Sequence, residues 1–376
     1  MMNIVFLNEH FNMGGLERVS YVLGDNLSKS YNTYFYSMFS DVNYYNIKKN
    51  FIVGRSSKKI SRWLDYRKYL KKIEYLFNKE ITPSNYFKKE LEFFIEWINS
   101  NDIDLVIISS PMLISCIDYL KNRSSCRYFA WIHNNYNTYM NNYTKDYNSS
   151  FIKGLNKSDS VVCLTSHDLK LYRKFNPKTF CIYNPLTISN DELSSLEVKN
   201  ISFTSRVSFD HKGIDYLIEI SKRIPNDWTI TVAGNGNIEE VSLLLNEIKK
   251  NDLEKKLIFK GPLKDQLLIE HYKNSSIYLM TSRWEGMPLV LAEAMSFGLP
   301  IIAFDQSGSN EVLGNGKFGK LIPMGNLDDM EQAIREFCEN PQVLKFYQEK
   351  SLQRVKDFNL EEITQIWTCL FEQTKI

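Results

Sequence analysis

Two carboxylates, Glu285 and Glu293, stand with seven residues between them in the run from Ser282 to Gly298, Ser-Arg-Trp-Glu-Gly-Met-Pro-Leu-Val-Leu-Ala-Glu-Ala-Met-Ser-Phe-Gly. The run reads as a strand end, a tight loop at Gly286 and Met287, a helix with Pro288 near its first position, and a glycine stop at Gly298. Free backbone N–H groups near Leu289 and Val290, at the amino end of that helix, favour an anion such as phosphate. Helical side chains lean toward the amino end, so the Glu293 carboxylate can reach ligand hydroxyls there, a vicinal diol above all. A lone Glu on a helix is more often a solvated residue. This helix is otherwise apolar, and a charge buried in such surroundings needs a partner. Glu285 lies in a glycine loop at the carboxyl end of a strand, where ligand contacts concentrate.

A second cluster is Phe203-Thr204-Ser205-Arg206-Val207-Ser208-Phe209-Asp210-His211-Lys212-Gly213. Arg206 and Lys212 follow one strand and can converge on a diphosphate, neutralising a leaving group as a divalent metal does elsewhere. As an isolated pair they would read as two surface cations. Their place opposite the helix start at Leu289 favours the functional reading. Gly14-Gly15, after the first strand, allows close backbone approach to a ligand but lacks the G-x-G-x-x-G spacing of a dinucleotide fingerprint. Gly234-Asn235-Gly236 is only G-x-G, and a tight turn explains it at least as well. His133, ahead of Asn134 and Asn135 at a strand's carboxyl end, can hydrogen-bond a substrate hydroxyl, with a satisfied structural histidine as the competing reading. Asp102-Ile103-Asp104 resembles a D-x-D metal motif but stands at the amino end of a strand. It is set aside, together with Asp328-Asp329, and no metal site is expected.

These residues need a scaffold, and the chain supplies one. It has 376 residues, 43% hydrophobic and 24% charged, enough apolar content for two ordinary domains. Disorder and fibre are excluded. The net charge of +2 gives no global attraction to nucleic acid, so any basic site is local. Six dispersed Cys form no C-x-x-C pair, which argues against structural zinc or a disulfide framework and for a reducing cytoplasm. The amino terminus reads as a strand and not a secretory signal, and the most apolar stretch, 105–117, is too short to span a bilayer.

Short β-branched and aromatic runs alternate with helical patterns, the signature of parallel sheets with crossover helices. One series of strands is expected at 4–7, 33–36, 105–108, 128–132, 161–164 and 180–183. A second is expected at 201–204, 228–233, 257–260, 277–280, 300–303 and 320–322. The fold class is therefore α/β, with two doubly wound, Rossmann-like domains, 1–184 and 185–358, facing across a cleft. The boundary falls at Asn184-Pro185-Leu186 and the polar stretch that follows, and an amphipathic tail helix beyond residue 358 packs back on one of the domains. Between 58 and 77, apolar residues at helical spacing are interleaved with seven Lys and Arg. That segment reads equally as a helix on an anionic membrane and as an insertion helix with a solvated basic face.

With these motifs assembled, the chain resembles glycosyltransferase family 4, retaining enzymes of the GT-B fold that use nucleotide sugars. The most specific element is the Glu285–Glu293 run, and Ser307-Gly308-Ser309-Asn310-Glu311 and Gly319 also match the family's pattern. The resemblance implies that Glu285 contacts the donor sugar, Glu293 the ribose, and Arg206 and Lys212 the diphosphate. It further implies that Gly15 and its neighbours close over the phosphates, that His133 stands beside the sugar, and that no divalent metal or other cofactor is needed. The expected activity is retaining hexosyl transfer from a nucleotide sugar, UDP-linked by preference, to a glycan or lipid-linked acceptor of a bacterial surface polysaccharide, at the inner face of the membrane. The alternatives are a nucleotide-sugar epimerase of similar build and a non-catalytic sugar-nucleotide-binding partner of another transferase.

Overall fold

A computed structural model of the chain describes residues 1–54, 80–188 and 192–374. The basic segment 58–77 lies outside the described residues. The chain forms two compact units, Met1–Pro185 with Leu360–Ile376, and Leu186–Asn359.

The first unit is built on β1 (Asn3–Asn8), β2 (Asn32–Ser37), β3 (Phe51–Val53), β4 (Leu105–Ile108), β5 (Arg127–Trp131), β6 (Ser160–Cys163) and β7 (Thr179–Cys181). All pairings are parallel, in the order β3-β2-β1-β4-β5-β6-β7. Helices cover both faces, so β4 is apolar and buried along its whole length. Val5 and Leu7 enter the core on one face, while Phe6 stacks on Phe35 on the other, ring centroids 5.8 Å apart. The last helix, Leu360–Gln373, covers that second face: Trp367 meets Trp131 edge-on at 5.0 Å, and Arg127 Nη1 donates to the Phe371 carbonyl at 2.9 Å.

The second unit carries β8 (Asn200–Thr204), β9 (Thr229–Ala233), β10 (Leu257–Gly261), β11 (Ile277–Met280), β12 (Ile301–Phe304) and β13 (Lys320–Ile322). Its parallel order, β10-β9-β8-β11-β12-β13, reverses direction between β8 and β11. Loops diverge at such a reversal and leave a crevice at the carboxyl ends of the two strands.

Three details depart from the sequence reading. β3 was not expected, because it has only three residues, none of them fully buried. β12 starts at Ile301 and not at Pro300: proline has no N–H for the ladder, and only its carbonyl takes part, accepting from Tyr278 N at 2.9 Å. Gly234 and Gly236 do not make a tight turn but run extended beside residues 205–207, where Val207 and Gly236 form a parallel bridge. At the opposite edge of the first unit, Asp104 accepts from Asn3 N at 2.6 Å, a structural tie. No helix among the described residues is long and apolar enough to cross a membrane.

Candidate functional site

β11 delivers the chain to the loop that holds Glu285, Gly286, Met287 and Pro288, all buried. Pro288 is extended (φ −71°, ψ 107°) and caps the helix Leu289–Ser296, so that helix starts one residue later than the sequence suggested. Leu289 and Val290, half-buried, carry its first free N–H groups. The loop rests on a second helix start. Gln306 Oε1 accepts from Glu285 N at 3.1 Å and from Gly308 N at 2.8 Å, capping the helix Ser307–Val312. Gly308 is needed because a Cβ there would lie 2.8 Å from the Gly286 carbonyl oxygen.

β8 delivers the cations. Ser205 N donates to the Ala233 carbonyl at 3.0 Å and Val207 N to the Asn235 carbonyl at 2.7 Å, prolonging the parallel ladder past the end of both strands. Val207 is buried and Arg206 exposed, the alternation of a strand. The ladder can extend this far because Gly234 has no Cβ, which would sit 1.7 Å from the Ser205 carbonyl oxygen. The short helix Phe209–Lys212 then ends in a left-handed Gly213 (φ 63°). Thr281 Oγ1, at the head of the β11 loop, donates to the carbonyls of Lys212 (2.9 Å) and Gly213 (3.0 Å).

These two loops meet through charge. Lys212 Nζ lies 2.5 Å from Glu285 Oε1, and His211 Nε2 lies 2.8 Å from the Trp284 carbonyl and 3.9 Å from Glu285 Oε2, its ring parallel to the indole at 4.7 Å. Burial pushes the Glu285 carboxyl up, yet the Lys212 ammonium and His211 outweigh it and hold the group below the ordinary carboxylate range. His211 is pushed down by burial, then by Lys212 and Arg206. Arg206 therefore acts on the same cluster, and its guanidinium has no hydrogen-bond or ion-pair partner among the described residues.

Arg283, which the sequence reading left without a role, fastens the two loops. It grips Asp215 with both Nη atoms (2.9 and 2.6 Å), donates to the Phe209 carbonyl at 2.6 Å and stacks on Tyr216 at 4.3 Å, while its own N–H donates to the His211 carbonyl at 2.9 Å. The only sequence signal for it was its place beside Glu285.

Glu293 is buried, 3% exposed, with Oε1 accepting from Thr187 Oγ1 (2.9 Å) and Oε2 from Tyr272 Oη (3.0 Å). Tyr278 links it to the rest: its hydroxyl donates to the Thr204 carbonyl at 3.1 Å, and its pKa is raised by burial and then by both Glu293 and Glu285. Arg206, Lys212, Glu285 and Glu293 thus occupy one neighbourhood, the carboxyl edge of β8 and β11.

In the first unit, Gly14 caps the helix Gly15–Leu27, and its N–H and carbonyl both bond the Tyr45 hydroxyl, at 3.0 and 2.6 Å. Glu17, in the first turn, folds back over this start: a Cβ on Gly14 would lie 2.1 Å from its Oε2. A carboxylate therefore already faces the turn expected to close over phosphates. His133 follows β5, with its ring 4.3 Å from that of Trp131 and its backbone N–H donating to Tyr139 Oη at 3.2 Å. Burial pushes its imidazole down to about 3, and the buried Nε2 has no hydrogen-bond partner among the described residues. The imidazole is neutral in ordinary conditions and can donate or accept one hydrogen bond there.

Residues 188–354 match the family model described as glycosyl transferases group 1. An uncharacterized glycosyltransferase of Haemophilus influenzae is 28% identical over 363 residues, covering 94% of this chain and 95% of that protein. The amylovoran biosynthesis glycosyltransferase AmsD of Erwinia amylovora is 26% identical over 225 residues, 56% of this chain and 61% of that one. The crystal structure of Anabaena HepE in complex with UDP and glucose shares the fold, with a TM-score of 0.79 at 16% identity over 99% of this chain and 100% of that one. Two parallel sheets in this order are the GT-B architecture, and with the match over residues 188–354 and these relatives the protein is a glycosyltransferase.

Proposed function

We propose that this enzyme transfers a hexosyl unit, with retention of anomeric configuration, from a UDP-sugar to a hydroxyl of a glycan or lipid-linked acceptor in the synthesis of a bacterial surface polysaccharide. The observation that carries the proposal is the cationic edge of β8, Arg206 and Lys212, set against the Glu285 loop at the sheet's reversal point. Arg206 and Lys212 take the diphosphate oxygens, the N–H groups of Leu289 and Val290 add the positive end of a helix, and Glu293 takes the ribose hydroxyls. Glu285, beside its lysine, faces the sugar. As the bond from the anomeric carbon to the phosphate oxygen breaks, these cations stabilise the departing UDP. The phosphate oxygen then takes the proton of the acceptor hydroxyl attacking from the same face, so no side-chain nucleophile and no divalent metal is required.

His133 is assigned a sugar hydroxyl, which its buried Nε2, without a hydrogen-bond partner among the described residues, supports. Gly14 and Gly15 are assigned phosphate contact, which requires Glu17 to swing aside. UDP as the nucleotide is supported by HepE, whose crystal structure holds UDP and glucose, and a surface polysaccharide as the destination by AmsD, a glycosyltransferase of amylovoran biosynthesis. The basic residues of 58–77 support a lipid-linked acceptor at the inner membrane face.

The test is a panel of nucleotide sugars incubated with the protein, with released nucleotide and the anomeric proton of the product followed by NMR. A UDP-hexose turned over with retained configuration is the expected result. Turnover only of a sugar joined to another nucleotide, or inverted product, would overturn it.

A further inference from the structure

Glu293 is held from two directions. Tyr272 belongs to the helix Asp265–Lys273 and is fully buried, stacked on Phe297 at 5.2 Å and packed against Tyr278 at 6.1 Å, so its hydroxyl has one available place. Burial keeps that hydroxyl protonated, well above its ordinary pKa, and the Glu293 carboxylate adds to the effect; it is a donor at any working pH. Thr187 arrives from a different part of the chain, two residues after Pro185, where the polypeptide enters the second unit. The entering segment is itself anchored, Leu186 N donating to the Phe358 carbonyl at 2.8 Å.

A glutamate has three side-chain torsions, and freezing them on ligand binding lowers affinity. Here the two donors, on separate elements, have already frozen them. An ionised carboxylate offers about four acceptor positions, and Thr187 and Tyr272 take one on each oxygen of Glu293. We propose that Thr187 and Tyr272 are positioning residues that orient the Glu293 carboxylate toward both hydroxyls of the donor's ribose. This rests on the reading of Glu293 as the ribose contact. Neither residue touches the reacting bond, so each acts on donor affinity and leaves the chemical step alone.

The experiment is titration calorimetry of the full chain with UDP and with 2′,3′-dideoxy-UDP, on the wild type and on Glu293→Gln, Tyr272→Phe, Thr187→Val and Thr187→Ser. Wild type is expected to prefer UDP by about 10- to 100-fold, the worth of hydrogen bonds to a charged group. Tyr272→Phe and Thr187→Val should each reduce that preference at least threefold while leaving the affinity for the dideoxy nucleotide unchanged, and Thr187→Ser should restore it. A purely structural role would weaken both nucleotides equally, and that result, or an undiminished preference in both variants, overturns the proposal. Glu293→Gln separates the two levels: if it retains the wild-type preference, the ribose reading itself falls, whereas a loss there with none in Tyr272→Phe and Thr187→Val sinks only the positioning role.

Discussion

Lys212 Nζ stands 2.5 Å from Glu285 Oε1, with the two side chains 14% and 11% exposed. An ion pair this sheltered is weakly screened by salt, and breaking it from one side is far costlier than removing both charges, because the survivor stays buried and uncompensated.

Lys212→Ala should therefore destabilise the protein by about 3–5 kcal/mol, read as a lower urea midpoint. The double variant Lys212→Ala with Glu285→Gln should recover most of that loss and none of the activity. A double variant as unstable as the single one would show that the carboxylate is not the source of the instability.

Arg206 offers the converse case. Its side chain is exposed, so Arg206→Ala should change stability by no more than about 0.5 kcal/mol. Turnover of the donor should fall about 100- to 1,000-fold, the usual effect of losing one contact to developing charge. A chelator should leave wild-type turnover unaffected. Steady-state kinetics beside a thermal melt distinguishes the two effects, and full activity in the variant would remove Arg206 from the mechanism.

Three glycines rank by what a methyl group would meet. At Gly213, φ is 63° and a Cβ would lie 2.2 Å from the Thr281 carbonyl oxygen; at Gly234 it would lie 1.7 Å from that of Ser205; at Gly261, φ 70°, nothing among the described residues beyond its chain neighbours lies within 4 Å. Gly261→Ala should cost only the left-handed strain, about 1 kcal/mol. Gly213→Ala and Gly234→Ala displace backbone that positions Lys212 and Arg206, so each should cost at least about 2 kcal/mol and lower activity as well. Denaturant midpoints of the three variants check this order.

His271, buried in the helix Asp265–Lys273, is pushed down to about 4, chiefly by burial and then by Lys260. Its folded-state pKa is below its ordinary 6.5, so the unfolded chain takes up the proton first. This contribution to stability is complete above about pH 6.5 and is lost as pH falls from there toward 4, at a limiting slope of about 1.4 kcal/mol per pH unit. His133 acts in the same direction. Unfolding free energies measured from pH 7.5 to 4.5 should fall more steeply in wild type than in His271→Gln; equal slopes would exclude His271 as a source of acid sensitivity.

Much of this protein was legible in its residues. Twelve strand segments could be placed from β-branched and aromatic runs, three of them, 105–108, 277–280 and 320–322, with the bounds observed. Strand formation depends on local side-chain pattern, and a sheet covered on both faces needs unbroken apolar runs. Glycine, proline and paired glutamates marked the β11 loop for the same reason, since turn geometry and helix starts are properties of a few consecutive residues.

The partners of those residues were another matter. Arg283 finds Asp215 at a separation of 68 residues, Glu285 finds Gln306 at 21, and Glu293 finds Thr187 at 106 and Tyr272 at 21. None of these pairings has a period or a spacing to betray it. The first two exist because β11 lies beside β8 and β12 and not beside β10, its predecessor in the chain. Sequence pattern determined which segments become strands and which loops sit at their carboxyl ends; the order in which strands join the sheet, decided by the packing of whole helices on its two faces, determined which of those loops meet.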